Sequence, residues 1–269
     1  MGPEITAWRP DVPGIHEVFH ARFTTHAYPS HTHDAWTLLI VDDGVVRYDL
    51  DRHEHGALRE QVTLLPPGVP HDGRSVRPEG FRKRVLYLAS DTLTGVGAAV
   101  DHPSLADPVL RQRVHQLHQS LRTEDLEAQS RFALIRDRLR QHLNGTDVPP
   151  PEKATTAHRL RELLDAHLPD TPTLDEAAAV LDAHPVSLVR AFSREFGIPP
   201  HRYVTGRRLE LARRHLLAGH PPATAATMAG FYDQAHLTRH FTKLLGVGPG
   251  RYRLGSSSGA ERRSGRRLD

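Results

Sequence analysis

The stretch Leu188-Val189-Arg190-Ala191-Phe192 is followed by Gly197-Ile198-Pro199-Pro200-His201-Arg202-Tyr203, and the same pattern returns 49 residues later. The second copy reads Leu237-Thr238-Arg239-His240-Phe241 and then Gly246-Val247-Gly248-Pro249-Gly250-Arg251-Tyr252. Leu, Arg, Phe, Gly, Pro, Arg and Tyr recur at one fixed offset. These identities in register predict a duplicated supersecondary unit, which decides the fold of the C-terminal half.

Each copy has the pattern of two helices joined by a short break. In the first copy, Leu174–Leu181 is interrupted by Asp182-Ala183-His184-Pro185, and a helical period resumes over Val186–Phe196. In the second copy, helices are predicted over Pro222–Ala229 and Tyr232–Leu245, with a break at Gly230-Phe231. Both second helices are apolar on one face only, which is typical of a helix-turn-helix unit.

The outward faces of the second helices carry side chains of the kinds that read DNA. Arginine forks, hydroxyl groups and small apolar groups contact guanine edges and thymine methyl groups. The alternative is that these are ordinary solvated helix faces. The presence of two copies in register makes this alternative weaker than it would be for a single copy. The outward residues are Val186, Ser187, Val189, Arg190 and Arg194 in the first copy and Ala235, His236, Thr238, Arg239, Thr242 and Lys243 in the second.

One helix is predicted between the two units, over His201–Ala218. At 1.5 Å per residue it spans roughly 25 Å, so it could hold two reading helices about one duplex turn, roughly 34 Å, apart. Such spacing predicts that a monomer enters two successive major grooves. Basic side chains on or near this helix are predicted phosphate contacts, and simple solubility explains them equally well. They are Arg207, Arg208, Arg213, Arg214 and Lys243.

The segment Thr173–Arg253 resembles the DNA-binding domain of the AraC/XylS family of bacterial transcription regulators. The resemblance rests on Leu174, Ala178, Leu188, Arg190, Phe192 and Gly197, on Tyr203, Arg208, Leu209 and Ala212, and on Gly230-Phe231-Tyr232-Asp233-Gln234 with Arg239, Phe241, Gly246, Pro249, Tyr252 and Arg253. It implies base contacts by Val186, Ser187, Val189, Arg190, Gln234, Ala235, His236, Thr238 and Arg239. Three departures concern the two turns: Asp182 replaces the family's usual Gly, His184 a capping Ser, and Ala225 a larger aliphatic residue.

Composition places few limits on function but excludes some chemistry. A chain of 269 residues with 38% hydrophobic and 25% charged residues predicts a soluble protein of two domains. The absence of cysteine excludes disulfides, thiolate metal sites and cysteine catalysis, and it fits a reducing cytoplasm. From Glu152 onward there are 18 Lys and Arg against 12 Asp and Glu, whereas residues 1–151 have 17 against 20. A basic C-terminal half suits binding to a polyanion. No stretch is long and apolar enough for a membrane span, so no membrane partner is expected.

Residues 1–95 are predicted to be all-β. Short strand-like runs cover Trp36–Val41, Val45–Leu50, Gln61–Leu65 and Arg82–Leu88. Turn signals separate them at Asp42-Asp43-Gly44, Pro66-Pro67-Gly68 and His71-Asp72-Gly73, and Asp43-Gly44 is the sharpest prediction of a hairpin. Many short strands at near-regular spacing favour a barrel or a sandwich.

This region also contains a histidine constellation. His31 and His33 share a face if they lie on one strand, and His71 follows Pro66-x-Gly68-x-x. The order resembles the two motifs of the cupin fold, which AraC-type regulators often carry as an N-terminal effector domain. We expect His31, His33, Trp36 and His71 to line an effector pocket. A site for zinc, iron or nickel on the three histidines is the alternative, but Thr37 and Leu38 stand where metal-binding cupins usually have a Glu. Motif histidines without a function, or chance clustering such as His53/His55, remain a third interpretation.

Residues 96–145 carry two apolar stripes, Leu110/Val114/Leu117/Leu121 and Phe132/Ile135/Leu139/Leu143. The two amphipathic helices that they predict form a connector that either pairs with a second chain, as in resembling regulators, or packs on the barrel. Residues 146–154, which include Pro149-Pro150-Pro151, predict an extended linker. Residues 155–254 are predicted to form the DNA-binding domain, which starts with a helix at Thr156–Leu168. Residues 255–269 predict a disordered basic tail.

Together these features predict an α+β chain of two domains: an N-terminal cupin-like β-barrel and a C-terminal all-α domain with two helix-turn-helix motifs. The expected function is sequence-specific regulation of transcription by a non-enzyme that responds to a small effector. Its expected partners are double-stranded DNA, the effector, RNA polymerase and a second copy of the chain. Two alternatives are a metal-dependent cupin enzyme fused to a DNA-binding domain and a non-specific architectural DNA binder.

Overall fold

The computed structural model describes residues 3–24, 27–121, 125–144 and 155–252, without the side chains of Asp125 and Leu126. The predicted linker at 146–154 and the predicted tail at 255–269 lie outside the described residues.

Two antiparallel sheets face each other and form the barrel of the N-terminal domain. The first sheet has six strands in the order β1-β2-β9-β4-β7-β10. The second has four strands in the order β3-β8-β5-β6. Their facing sides bury apolar and aromatic residues such as Phe19, Leu39, Tyr48 and Val85. The strands are β1 Glu4–Trp8, β2 Ile15–Phe23, β3 Tyr28–His31, β4 Trp36–Asp43, β5 Val46–Leu50, β6 His53–Ala57, β7 Val62–Leu65, β8 His71–Ser75, β9 Phe81–Leu88 and β10 Ser104–Leu105.

The hairpin predicted at Asp43-Gly44 is wrong, because β4 and β5 belong to different sheets. Gly44 has φ 76°, and a Cβ added to it would lie 2.3 Å from the carbonyl oxygen of Gly80. Gly44 therefore lies where the chain crosses from one sheet to the other, packed closely against Gly80, and not in a two-residue hairpin. The turn predicted at His71-Asp72-Gly73 is also wrong, because these residues form the start of β8.

Three helices cover the outer face of the six-stranded sheet: α1 Val96–Asp101, α2 Pro108–Ser120 and α3 Asp125–Asn144. Both predicted apolar stripes are buried against that face, in one cluster with Trp36, Leu38 and Ile40. Packing on the barrel, one of the two roles expected for these helices, thus accounts for both stripes. The apolar residues of the stripes are not left exposed for pairing with a second chain.

The C-terminal domain is all-α and contains the two predicted helix-turn-helix units, which confirms the α+β fold of two domains. Its helices are α4 Thr156–Ala166, α5 Leu174–Leu181, α6 Pro185–Phe196, α7 Pro200–Leu217, α8 Pro222–Met228 and α9 Gln234–Leu245. The first unit has its own core around Leu188, Phe192 and Phe196. The core of the second unit, around Phe231, Leu237 and Phe241, is continuous with the barrel core. None of the helices in the described part of the chain has the length and apolar character that a membrane crossing needs.

Local capping explains where the helices of the two units begin and end. Thr173 and Glu176 form a reciprocal capping box at the start of α5, and Asp233 accepts a hydrogen bond from His236 N at the start of α9. His184, which replaces the family's usual Ser, still caps α6 because its Nδ1 accepts from Val186 N at 3.3 Å. Asp182 adopts the left-handed conformation at φ 49° that its position demands.

Candidate functional site

The outward face of α6 presents most of its predicted base-reading residues to solvent. Val186, Ser187 and Arg190 are exposed, and Val186 retains 49% of its accessible surface although it is apolar. Val189 is half-buried and lines a groove bounded by α4, α5 and α7. Pro185 occupies the first turn of the helix, where its missing N–H is not needed. The N-terminal half of α6 therefore forms an exposed surface of mixed character.

The corresponding face of α9 contains a groove. Tyr232, Asp233, Ala235, His236 and Arg239 line a groove of about 430 Å³ at the start of the helix. Gln234, Ala235, Arg239 and the predicted phosphate contact Lys243 are exposed, whereas His236 and Thr238 are half-buried. The His236 ring packs edge-on against Phe231 at 5.4 Å, and Thr238 Oγ1 donates to Gln234 O at 2.8 Å. Tyr232 is 92% exposed, which is unusual for a large aromatic side chain.

The connecting helix α7 uses its arginines inside the protein, which corrects their predicted role as phosphate contacts. Arg207 pairs with Asp34, Asp165 and Glu210, and its side chain is 12% exposed. Arg208 donates to the carbonyl oxygen of Pro169 from Nε and Nη2, at 3.1 and 2.8 Å. In this conformation the Arg207 guanidinium is surrounded by carboxylates, and the half-buried Arg208 guanidinium is bound to a backbone carbonyl.

Two arginines further along α7, Arg213 and Arg214, face the barrel. Arg213 is buried, forms an ion pair with Glu17 of β2 at 2.5 Å and donates from Nε to Tyr252 Oη at 3.2 Å. Arg214 is nearly half exposed and pairs with Asp34 at 3.2 Å. The predicted connecting helix is thus present, but its charged face docks against the rim of the barrel.

The three predicted pocket histidines come together at that rim, whereas Trp36 does not join them. His31 and His71 are register partners on β3 and β8, and His33 follows the end of β3. All three are buried, and one nitrogen from each lies within 4.8 Å of the other two. Trp36 is buried on the opposite face of β4 among the residues beneath α1–α3, and its Nε1 donates to Ser90 O. Alternation along the strand turns neighbouring side chains to opposite faces, so Trp36 is not a pocket residue.

Backbone carbonyls fix the orientation of two of the histidine rings. Nδ1 of His31 donates to Pro29 O at 2.8 Å, and Nδ1 of His71 donates to Val69 O at 3.1 Å. A neutral ring that donates from Nδ1 carries its lone pair on Nε2. Nε2 of His31 and Nε2 of His33 are 3.2 Å apart. Burial lowers the pKa of His31 and His33 well below the usual range and that of His71 to about 4, so the rings are neutral.

The third ring, His33, contacts the DNA-binding domain through Glu210 of α7. His33 Nδ1 and Glu210 Oε1 are 2.7 Å apart, and both carboxylate oxygens of Glu210 also accept from Asp34 N, at 3.1 and 3.2 Å. Burial, followed by the charge of Asp34, raises the pKa of Glu210 to about 8, while Arg207 opposes the shift. A small cavity of about 30 Å³ beside this contact is lined by residues of both domains, among them Glu17, His33, Tyr87 and Arg213.

Sequence reasoning missed the acidic residues of this interface, Glu17, Asp34 and Glu210. One signal was present: Arg207, Glu210 and Arg213 recur at a spacing of three along α7, which places them on neighbouring turns of one face. Their partners Glu17 and Asp34 are remote in the sequence and have no motif. Only the fold brings these charges together.

The chain matches two family models. Residues 13–143 match the AraC-like ligand binding domain, and residues 177–255 match a helix-turn-helix domain. A relative in Bacillus subtilis, the uncharacterized HTH-type transcriptional regulator YobQ, is 32% identical over 239 residues, covering 86% of this chain and 91% of the relative. A second B. subtilis regulator, YbfI, is 26% identical over 246 residues, covering 84% and 87% of the two chains.

Solved structures show that other proteins share this fold. An apo variant of ToxT from Vibrio cholerae superposes with a TM-score of 0.62 at 10% identity, covering 94% of this chain and 97% of that one. Wild-type ToxT bound to an unsaturated fatty acid gives a TM-score of 0.58 at 11% identity, covering 96% and 97%. Both B. subtilis relatives are named transcriptional regulators, which favours a regulator over the alternative of a cupin enzyme fused to a DNA-binding domain. The chain belongs to the AraC-like family of helix-turn-helix transcription regulators, with a ligand-binding domain before its DNA-binding domain.

Proposed function

We propose that this regulator recognises a specific operator by placing α6 and α9 in two successive major grooves. In this proposal Val186, Ser187, Val189 and Arg190 read one block of bases, and Gln234, Ala235, His236, Thr238 and Arg239 read the other. Lys243 contacts phosphate. The observation that carries the proposal is that both capped second helices leave their N-terminal arginines, Arg190 and Arg239, exposed on surfaces that no other element of the described chain covers.

We propose further that an effector bound in the N-terminal domain controls this recognition through α7. This helix begins beside α6, ends shortly before α8, and contacts the barrel through Arg207, Glu210 and Arg213. A ligand that binds the docked and undocked arrangements with different affinity shifts the population between them. The position of the reading helices relative to each other and to the barrel then changes with effector concentration.

Selection of bound duplexes from randomised DNA, at two salt concentrations, tests the proposed recognition. We expect enrichment of a site with two short blocks centred about ten base pairs apart. Salt-sensitive binding without enrichment would contradict base reading by both helices and would favour a non-specific architectural binder, because phosphate contacts alone carry no sequence information.

Alanine variants of the two arginines then assign the blocks. Arg190→Ala and Arg239→Ala should each weaken binding to the selected site by about 1–3 kcal/mol and relax specificity in one block only. Arg82→Ala, which removes an exposed arginine from β9 of the barrel, is the matched control. Uniform weakening of all sequences by all three variants would assign these arginines a purely electrostatic role.

A second copy of the chain and RNA polymerase are the further partners that we propose. The two-fold symmetry common among DNA-binding dimers would present four reading helices to a repeated operator. Sedimentation of the protein with and without its selected duplex tests the dimer, and a single one-to-one complex at all concentrations would contradict it. Recruitment of polymerase is tested by transcription from a template that carries the selected site.

A further inference from the structure

Three histidine rings converge where the barrel meets the DNA-binding domain. His31, His33 and His71 are buried, and one nitrogen from each lies within 4.8 Å of the other two. Two nitrogens bound to one zinc ion at about 2.0–2.1 Å and a tetrahedral angle are about 3.4 Å apart. Nε2 of His31 and Nε2 of His33 are already 3.2 Å apart. The distances to the nitrogen of His71 are at most 4.8 Å, so each must shorten by about 1.4 Å or less to reach this value.

Second-sphere hydrogen bonds orient the rings as metal ligands need. Histidines that bind metals donate their other N–H to a carbonyl or a carboxylate, which fixes the tautomer and the ring angle. Pro29 O and Val69 O play this part for His31 and His71, and Glu210 stands at Nδ1 of His33. All three rings therefore have an acceptor on the nitrogen that faces away from the cluster.

Among the described residues, only these three of the His, Cys, Asp and Glu side chains come together as possible ligands of one ion. Thr37 and Leu38 occupy the positions at which the resemblance to metal-binding cupins implies a Glu. Leu38 is buried on the far side of β4, and Thr37 has a buried hydroxyl without a hydrogen-bond partner among the described residues. Neither supplies a carboxylate. Three neutral imidazoles suit a divalent transition ion such as Zn²⁺ or Co²⁺.

We propose that His31, His33 and His71 bind one divalent transition-metal ion, and that the ion fastens α7 to the barrel through the contact between His33 and Glu210. A metal on Nε2 of His33 leaves the ring proton on Nδ1, where Glu210 is the acceptor. The polarised N–H of a metal-bound ring makes a stronger hydrogen bond to a carboxylate. By linkage, whatever strengthens docking of α7 also tightens metal binding, by the same factor. The metal site does not depend on the proposed DNA recognition, whereas its regulatory effect does.

Metal binding is tested with the untagged, full-length protein after chelation. Titration with Co²⁺ should give one bound ion per chain and the intense visible absorption of a four-coordinate site, which Zn²⁺ then displaces. His71→Gln should lose the absorption band and weaken binding by more than 100-fold. His53→Gln, which removes an exposed histidine of the second His-x-His pair on β6, should leave both unchanged. Absence of stoichiometric binding, or equal loss in both variants, would overturn the site.

The role of Glu210 as a positioning residue is tested separately. Glu210→Gln keeps a hydrogen-bond acceptor but removes the ionisable carboxyl group, and it should weaken Co²⁺ binding by about 10–100-fold while the absorption spectrum keeps its shape. Unchanged affinity in Glu210→Gln would overturn the link between the metal and α7. If this variant does not fold, Arg207→Met, which removes the cation that binds Glu210 at 2.6 Å, serves as the second test.

Docking itself is measured by distance. The chain contains no cysteine, so spin labels can be attached to a single introduced pair, Glu79→Cys in the barrel and Thr224→Cys in α8, both at exposed positions. Zn²⁺ should narrow the distance distribution in the wild-type background and leave it unchanged with His71→Gln. If Zn²⁺ binds but the distance distribution between the labels does not change, the proposal that the ion fastens α7 to the barrel is overturned. Failure of DNA selection would leave all of these measurements interpretable, because none of them uses DNA.

Discussion

The guanidinium of Arg213 on α7 lies 2.5 Å from the carboxylate of Glu17 on β2, although 196 residues separate them in the chain. Both side chains are buried, and Tyr252 joins them by accepting from Arg213 and donating to Glu17. The pair therefore connects the ligand-binding domain, the helix between the two helix-turn-helix units and the end of the second unit. Removal of one partner leaves the other as an unpaired charge in the interior.

Arg213→Met should lower the free energy of unfolding by about 3–5 kcal/mol, because Glu17 loses its counter-charge in a buried place. The double variant Arg213→Met with Glu17→Gln should recover part of that loss, since no uncompensated charge remains. Denaturant unfolding of the wild type, both single variants and the double variant measures the coupling. Additive losses would show that the two side chains do not interact.

The left-handed residue at the end of α5 offers a second prediction. Asp182 has φ 49°, and Ala183 N donates to Ala178 O at 3.0 Å, as in the common helix stop that favours glycine. Asp182→Gly should be more stable than Asp182→Ala by about 1 kcal/mol, because only glycine adopts this conformation without a steric cost. Thermal unfolding of the two variants beside the wild type decides this point. An alanine variant as stable as the glycine variant would contradict it.

Gly230 joins the turn of the second unit to the first unit. It has φ 75°, and an added Cβ would lie 2.7 Å from Pro169 O and 3.0 Å from Nε of Arg208. Gly230→Ala should cost more than the ~1–2 kcal/mol of a left-handed alanine, because backbone atoms must also move. Gly219→Ala is the matched control, since Gly219 has φ 92° with nothing within 4 Å of an added Cβ. Equal costs in unfolding experiments would show that packing at Gly230 contributes nothing.

Lys83 gives a prediction about pH. Its Nζ lies 4.2 Å from the ring centre of Tyr28, and burial, with the charge of Arg213, lowers the pKa of Lys83 to about 7 from its ordinary 10.5. Because the unfolded chain binds this proton more tightly, stability should rise with pH between about 7 and 10.5. Lys83→Met should therefore stabilise the protein most below pH 7, and the difference should fade toward pH 10.5. Thermal unfolding across this range, with a chelator present, measures it. A difference that does not vary with pH would contradict the shift.

The sequence alone predicted the elements whose pattern is local. The duplicated motif, with its turn glycines and its helices that are apolar on one face, predicted both ends of each helix from α5 to α9 to within two residues. This was possible because helical periodicity and capping act over a few residues. The apolar stripes of α2 and α3 were equally clear. The sequence left open only whether they pack on the barrel or against a second chain. In the β-domain, the sequence identified four strands but assigned Asp43-Gly44 to a hairpin, because a turn signal does not say which sheet the next strand joins.

What only the tertiary structure decided is how the two domains meet. The residue types and their spacing predicted which faces of α6 and α9 are exposed, since exposure on an amphipathic helix follows from its apolar face. The same logic predicted that the arginines of α7 contact phosphate, yet Arg207 and Arg213 pair with carboxylates of the barrel. It likewise placed Trp36 beside His31 and His33, whereas strand alternation buries Trp36 under α1–α3. A charged side chain in a sequence does not reveal its partner, because a partner some two hundred residues away is chosen by the packing of whole domains.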